Sequence, residues 1–177
     1  MRILFLGNNW VGWQVAKWFK EQDHEVVGLV VHPSSTQQYR DGIATALGLP
    51  ASQVFDGSRL REPATREAIN DLNADIGLSV YFGYILRAEF IDMFEKGIVN
   101  LHPGYLPYNK GKHTNVWSIL DGTPAGVTLH YINVGIDTGD VIAQQEVVVE
   151  QVDTGETLYH KLEKAALNLL KDNWVDV

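Results

Sequence analysis

The chain of 177 residues contains no cysteine, so it can build no disulfide framework and has no thiol nucleophile. That absence fits a cytoplasmic protein. Basic residues are scarce: 14 Lys and Arg stand against 22 Asp and Glu, a net charge of −8, with no Lys/Arg cluster. Such a balance argues against a dedicated nucleic-acid surface. No apolar run approaches the length of a membrane span. The opening MRILFLG is too short for a signal peptide and runs into Asn8, Asn9 and Trp10 without a cleavage site. Internal repeats, low-complexity segments and a Gly-x-Ser-x-Gly elbow are also missing, so neither a repeat architecture nor that form of covalent catalysis is suggested. What is present is one domain by length, residues 1–177, in which 45% hydrophobic residues suffice for a substantial core.

Patterning along the chain alternates between two periods. Residues 2–7 read as a buried strand, and 11–22 carry Val11, Val15, Trp18 and Phe19 at helical spacing. A second strand is expected at 25–31. Helices follow at 36–47, ended by Gly48 and Pro50, and at 64–72, with Pro63 in the first turn. Strands are expected at 75–82, 97–101, 126–133 and 141–149, with a short helix at 114–120 between them. The last helix, 154–173, has Thr154 and Glu156 as start signals and Leu158, Leu162, Ala165, Leu169 and Leu170 as its buried stripe. Alternating βα units imply an α/β fold: a mostly parallel twisted sheet with helices on both faces.

The stretch GIVNLHPGYLPYNKGKH, 97–113, organises this pattern. Asn100 and His102 are two apart, so in extended backbone they point to the same side, near the carboxyl end of a strand where open α/β sheets place ligands. Asp137, in the Gly-rich loop VGIDTGD, is the candidate carboxylate, with Asp140 in the same loop as its rival. An amide, an imidazole and a carboxylate suit attack of an amine on a formyl or acyl carbonyl. An Asn N–H or an imidazolium can hold the oxygen that gains charge, and a histidine can move the proton the amine must lose. A neighbouring carboxylate is expected to raise the histidine pKa and fix the ring. His130 reads as a surface or core histidine rather than a ligand. His102 and His113 are spaced as no ordinary zinc site, so no metal is expected. Gly7-Asn8-Asn9-Trp10-Val11-Gly12 has the spacing of a dinucleotide fingerprint, but Asn9 replaces its middle glycine. His32 stands where an acidic ribose ligand would fall, so a dinucleotide is disfavoured.

These residues resemble the formyltransferase family that uses 10-formyltetrahydrofolate. The motifs are Asn100-x-His102-Pro-Gly-Tyr-Leu106-Pro107, Gly111, Gly126-Val127-Thr128 and Ile136-Asp137-Thr138-Gly139. The likeness is close over about 74–150 and looser before. It implies a Rossmann-like catalytic domain that takes 10-formyltetrahydrofolate as formyl donor and needs no metal. Asn100, His102 and Asp137 would be catalytic. Tyr84, Ile85 and Leu86, with Asn133, Val134, Gly135 and Ile136, would bind the folate through an apolar slot with backbone groups. Asn8, Asn9, Trp10 and Lys112 are candidates for contact with the amine substrate.

Tyr105–His113 and the following Val116-Trp117-Ser118-Ile119 look most like aminosugar N-formyltransferases. The expected partner is therefore a small-molecule amine, a nucleotide-activated amino-deoxysugar used in surface-polysaccharide synthesis. Nucleic acid and membrane are not expected partners, and a homodimer is left open. Glycinamide ribonucleotide enzymes resemble the chain less. Methionyl-tRNA is disfavoured by the acidic charge and by the end of the chain at Val177, where relatives usually continue. The chain is read either as a minimal catalytic domain or as one truncated at its C-terminus. A formyltetrahydrofolate hydrolase and a non-catalytic folate-binding domain are the rival readings.

Overall fold

The structure is a computed structural model, and it describes residues 1–174. The last three residues of the expected domain, 175–177, lie outside the described residues. Among the described residues there are seven strands: β1 (Arg2–Gly7), β2 (Glu25–Val31), β3 (Val54–Asp56), β4 (Ile76–Val80), β5 (Ile98–His102), β6 (Ala125–Tyr131) and β7 (Val141–Val147). Six α-helices accompany them: α1 (Asn9–Glu21), α2 (Arg40–Leu47), α3 (Pro63–Asn70), α4 (Ala88–Ile91), α5 (Thr114–Asp121) and α6 (Gly155–Asn173). The strand order is β3-β2-β1-β4-β5-β6-β7. Pairings β1–β2, β1–β4 and β2–β3 are parallel, and β6–β7 is antiparallel. This is the α/β fold the alternating pattern implies.

The chain divides into two compact units, Met1–Val99 and Asn100–Val177. In the first, β1 carries Ile3 to Leu6 with no exposure, as expected of a parallel strand covered on both faces. Helix α1 buries Val11, Val15 and Phe19 along one stripe. Helix α2 starts at Arg40, four residues later than its apolar pattern suggests. Tyr39 has φ 61°, a left-handed conformation that no helix can include, and the N–H groups of Thr36 and Gln37 close a turn on the Pro33 carbonyl. Strand β4 likewise stops at Val80, because Tyr81 has φ 53°. The three-residue β3 and the single-turn α4 carry too few residues to show a period.

In the second unit, β6 and β7 form an antiparallel pair, and α6 packs on both and on α5. Thr154 caps α6 through a reciprocal pair with Thr157, and Leu158, Leu162, Ala165, Leu169 and Leu170 are all buried. The loop after β5 is tied down by Thr128 in the middle of β6. Its hydroxyl donates to the Gly104 carbonyl at 2.7 Å and accepts the Leu106 N–H at 3.1 Å. Gln144 on β7 adds a bond to the Leu106 carbonyl at 2.8 Å. The residues after the β5 histidine are therefore held against the neighbouring strands.

Candidate active site

Four side chains of the second unit converge at the end of β5. Asn100 and His102 share one side of the strand, as their spacing requires. His102 Nδ1 lies 3.6 Å from Asp137 Oδ2, and Asp137 Oδ1 lies 3.7 Å from His130 Nε2. Asn100 Nδ2 lies 3.2 Å from His130 Nε2. The sequence reading took His130 as a surface or core histidine; it is buried, as a core histidine is, and it also lies beside Asn100 and Asp137. On β6, Val127, Leu129 and Tyr131 share one side while Thr128 and His130 share the other, and that second side meets Asn100 and Asp137. The signal available was the strand alternation combined with Thr128, the other polar residue on the same face.

Backbone carbonyls favour one tautomer of each imidazole. His130 Nδ1 is 2.8 Å from the Tyr131 carbonyl, which can only accept, so Nδ1 carries hydrogen. The neutral ring then offers a lone pair at Nε2, which accepts from the Asn100 carboxamide and sets its orientation. His102 Nε2 is 3.3 Å from the Asn109 carbonyl, so the hydrogen of this ring sits on Nε2. Nδ1 is left as its basic position, facing Asp137. Asp137 is itself anchored, for its Oδ2 accepts the Gly111 N–H at 2.7 Å.

Burial decides the charge state. His102 and His130 are 4% and 1% exposed. Burial pushes the His102 pKa below the ordinary imidazole value. Asp137 and the Asn109 carbonyl oppose this without overcoming it, and His130 adds to the lowering. His130 is lowered for the same first reason, with the Tyr131 carbonyl and Asp137 opposing. Asp137 acts on His102 in the raising direction that was expected of it, but desolvation outweighs that attraction. In both rings burial favours the neutral form. The site can accept a proton at His102 Nδ1 and can orient one amide.

Glycine at 104 is required by this packing. A Cβ there would stand 2.6 Å from His102 Nε2 and 3.1 Å from the Asn109 carbonyl oxygen. Asp137 opens from a loop closed at its base by the Tyr131 N–H donating to the Asp140 carbonyl at 2.9 Å. Within that loop Asn133 Oδ1 accepts from Gly135 N–H and Thr138 Oγ1, at 2.9 and 2.6 Å. A side chain at Gly135 would collide with Thr138 Oγ1. Val134 and Ile136 are 75% and 55% exposed, apolar side chains presented to solvent by an ordered loop. Lys112 is exposed, one residue beyond Gly111.

The remaining candidate positions lie in the first unit. Ile85 is 67% exposed, Tyr84 is partly exposed, and Leu86 is buried. Asn9 is buried, with its Oδ1 accepting the N–H groups of Val11 and Gly12 at 3.0 and 3.4 Å. Asn8 Oδ1 accepts the Gln38 N–H at 2.8 Å, and Trp10 is partly exposed. Among the described residues, no group of three or more His, Asp or Glu side chains could hold a metal ion.

An α/β sheet carrying an amide, two imidazoles and a carboxylate at a strand end defines a candidate group-transfer domain. Comparison with known proteins supplies the family. A family model described as formyl transferase matches residues 1–173, and the chain belongs to that family. The methionyl-tRNA formyltransferase of Agathobacter rectalis is 33% identical over 169 residues, 92% of this chain and 54% of that protein. The chain thus spans about half the length of the curated relatives it matches. Among solved structures, the formyltransferase PseJ from Anoxybacillus kamchatkensis is 29% identical with a TM-score of 0.67, covering 98% of this chain and 75% of that one. That structure is a complex with UDP-4,6-dideoxy-4-formamido-L-AltNAc and tetrahydrofolate. The phosphoribosylglycinamide formyltransferase of Streptococcus pneumoniae shares the fold, with a TM-score of 0.78, 23% identity and coverage of 94% and 93%.

Proposed function

We propose that the protein transfers a formyl group from 10-formyltetrahydrofolate to the amino group of a nucleotide-linked amino-deoxysugar. The observation that carries this reading is the convergence of Asn100, His102 and Asp137 within one unit. The exposed apolar Val134 and Ile136, on a loop braced by Asn133, fit a flat heterocycle that needs apolar cover and backbone partners. Ile85, with Tyr84 and Leu86, has the same character. The 133–136 loop would hold the donor, which supplies the formyl carbon that the amine attacks.

The chain's own residues then have distinct tasks. Asn100 holds the formyl oxygen through its side-chain N–H as negative charge develops there. His130, through its favoured tautomer, aims that amide. His102 Nδ1 takes the proton the amine loses, and Asp137 stands 3.6 Å from that atom to stabilise the imidazolium formed. When the tetrahedral intermediate collapses, the bond from the formyl carbon to N10 breaks and that proton passes to N10, so that tetrahydrofolate leaves as a neutral amine. Burial favours neutral His102 beforehand, the form that can accept.

The aminosugar acceptor is supported by the loop and helix at 105–119 and by the likeness to PseJ, whose structure contains a formamido sugar nucleotide. The likeness to methionyl-tRNA formyltransferases favours a second acceptor, methionyl-tRNA. A panel of UDP- and dTDP-linked aminosugars, glycinamide ribonucleotide and methionyl-tRNA, each with 10-formyltetrahydrofolate, separates them. N-formylated aminosugar nucleotide, detected by mass, is the expected product. Turnover of methionyl-tRNA or glycinamide ribonucleotide alone would overturn the acceptor. Formate release independent of any amine would identify a hydrolase.

A further inference from the structure

One turn of the loop after β5 grips both halves of the proton-accepting pair. The Asn109 carbonyl accepts from His102 Nε2, and two residues later the Gly111 N–H donates to Asp137 Oδ2. Asn109 and Gly111 have φ 51° and 86°, so the turn curls left-handedly and directs the carbonyl of one and the N–H of the other at the two catalytic groups. The turn is itself anchored. Asn109 Nδ2 donates to Ser118 Oγ on α5 at 2.8 Å and to Thr123 Oγ1 at 2.7 Å. Ser118 is buried, one of two buried residues on a helix whose other side chains are mostly exposed.

We propose that Asn109 is a positioning residue for formyl transfer. Its side chain, fastened to Ser118 and Thr123, holds its own carbonyl against His102 Nε2 and thereby leaves Nδ1 as the basic atom facing Asp137. Asparagine suits the position on two counts. It tolerates the left-handed backbone better than other residues with a side chain, and its amide has the two hydrogens the two hydroxyls need. Without the anchor, the carbonyl is no longer fixed, the hydrogen of neutral His102 can shift to Nδ1, and the atom that accepts the proton is lost. The titratable groups facing His102 are Asp137, itself held by the Gly111 N–H of the same turn, and His130.

The proposal rests on the transfer reading above for its catalytic consequence, but the tautomer can be read without any turnover. The experiment records nitrogen NMR shifts of 15N-histidine-labelled protein across pH, beside kcat and KM, for wild type, Asn109→Gly, Asn109→Ala, Ser118→Ala and Thr123→Val. Asn109→Gly keeps the positive φ and removes only the anchor. Ser118→Ala and Thr123→Val each remove one bond and serve if Asn109→Ala does not fold. Wild-type His102 is expected as the Nε2-protonated tautomer. In both Asn109 variants the tautomers mix and His102 titrates at lower pH, because the carbonyl that helps its protonated form is loosened. An approximately tenfold fall in kcat is expected, with KM for the folate changed less than about twofold. The single-anchor variants should shift in the same direction by less. An unchanged His102 tautomer and titration in every folded variant would overturn the proposal. Altered NMR shifts in a wild-type background that transfers no formyl group would instead retain the positioning role and remove the function proposed above.

Discussion

Replacing Asp137 with asparagine separates catalysis from stability. The change keeps the shape of the side chain and its ability to accept the Gly111 N–H, and removes only the charge. In the resting state burial favours the neutral form of both neighbouring rings, so the carboxylate has little positive charge to pair with and its loss should alter folding stability by less than about 1 kcal/mol. In the proposed transfer His102 becomes an imidazolium 3.6 Å from this carboxylate. At an effective dielectric constant of about 20, unit charges at that separation attract by about 4.6 kcal/mol. Some of this is lost to solvent, because the Asp137 side chain is 14% exposed. Since each 1.4 kcal/mol is about tenfold in rate, kcat should fall by roughly 10²- to 10³-fold. The assay follows N-formylated product under saturating donor and acceptor, with the melting temperature measured in parallel. A kcat within about threefold of wild type, at unchanged stability, would refute the assignment of Asp137 as partner of the protonated ring.

Three other outcomes are expected. Gly104→Ala places a methyl group against both His102 and the Asn109 carbonyl. Overpacking there should cost about 1–3 kcal/mol in chemical denaturation and lower kcat more than tenfold, with KM little changed. Thr154→Ala breaks the reciprocal cap of α6, far along the chain from the candidate site, and should lower stability by about 1 kcal/mol while leaving kcat unchanged. Stability should also fall in acid. The folded pKa values of His102 and His130 lie below the unfolded value of 6.5, so in that window the unfolded chain binds more protons. The contribution is complete above pH 6.5 and declines as pH drops from 6.5 toward the folded values, by up to about 1.4 kcal/mol per pH unit for each ring. Urea midpoints measured between pH 7.5 and 5 should follow that slope in wild type and lose about half of it in His130→Gln.

Much of this architecture was legible in the sequence because long parallel strands and an amphipathic last helix leave strong periodic marks. Residues 2–7 and 25–31 were read with the bounds the structure shows, for each is a continuous apolar run ended by a change of composition. Boundaries at Tyr39 and Tyr81 were not, since a left-handed tyrosine is dictated by tertiary surroundings rather than by its own preference. At the site, the Asn-x-His spacing pointed to one side of one strand, whereas His130 depended on a strand partner 30 residues away. The lowered pKa of His102 was also beyond reach of the sequence. A carboxylate in a motif announces attraction, but the burial that outweighs it exists only once the strands and loops have closed over the ring.

The central claim is that Asn100, His102 and Asp137 surround one reacting carbon. The most direct measurement is a crystal structure with 5-formyltetrahydrofolate, a stable formyl-bearing analogue of the donor. The account predicts the heterocycle against the exposed apolar residues of the 133–136 loop. It also predicts the formyl oxygen at hydrogen-bond distance, about 2.7–3.1 Å, from Asn100 Nδ2, with His102 and Asp137 beside the formyl carbon. An analogue bound elsewhere, or one whose formyl group points away from Asn100 and His102, would contradict it.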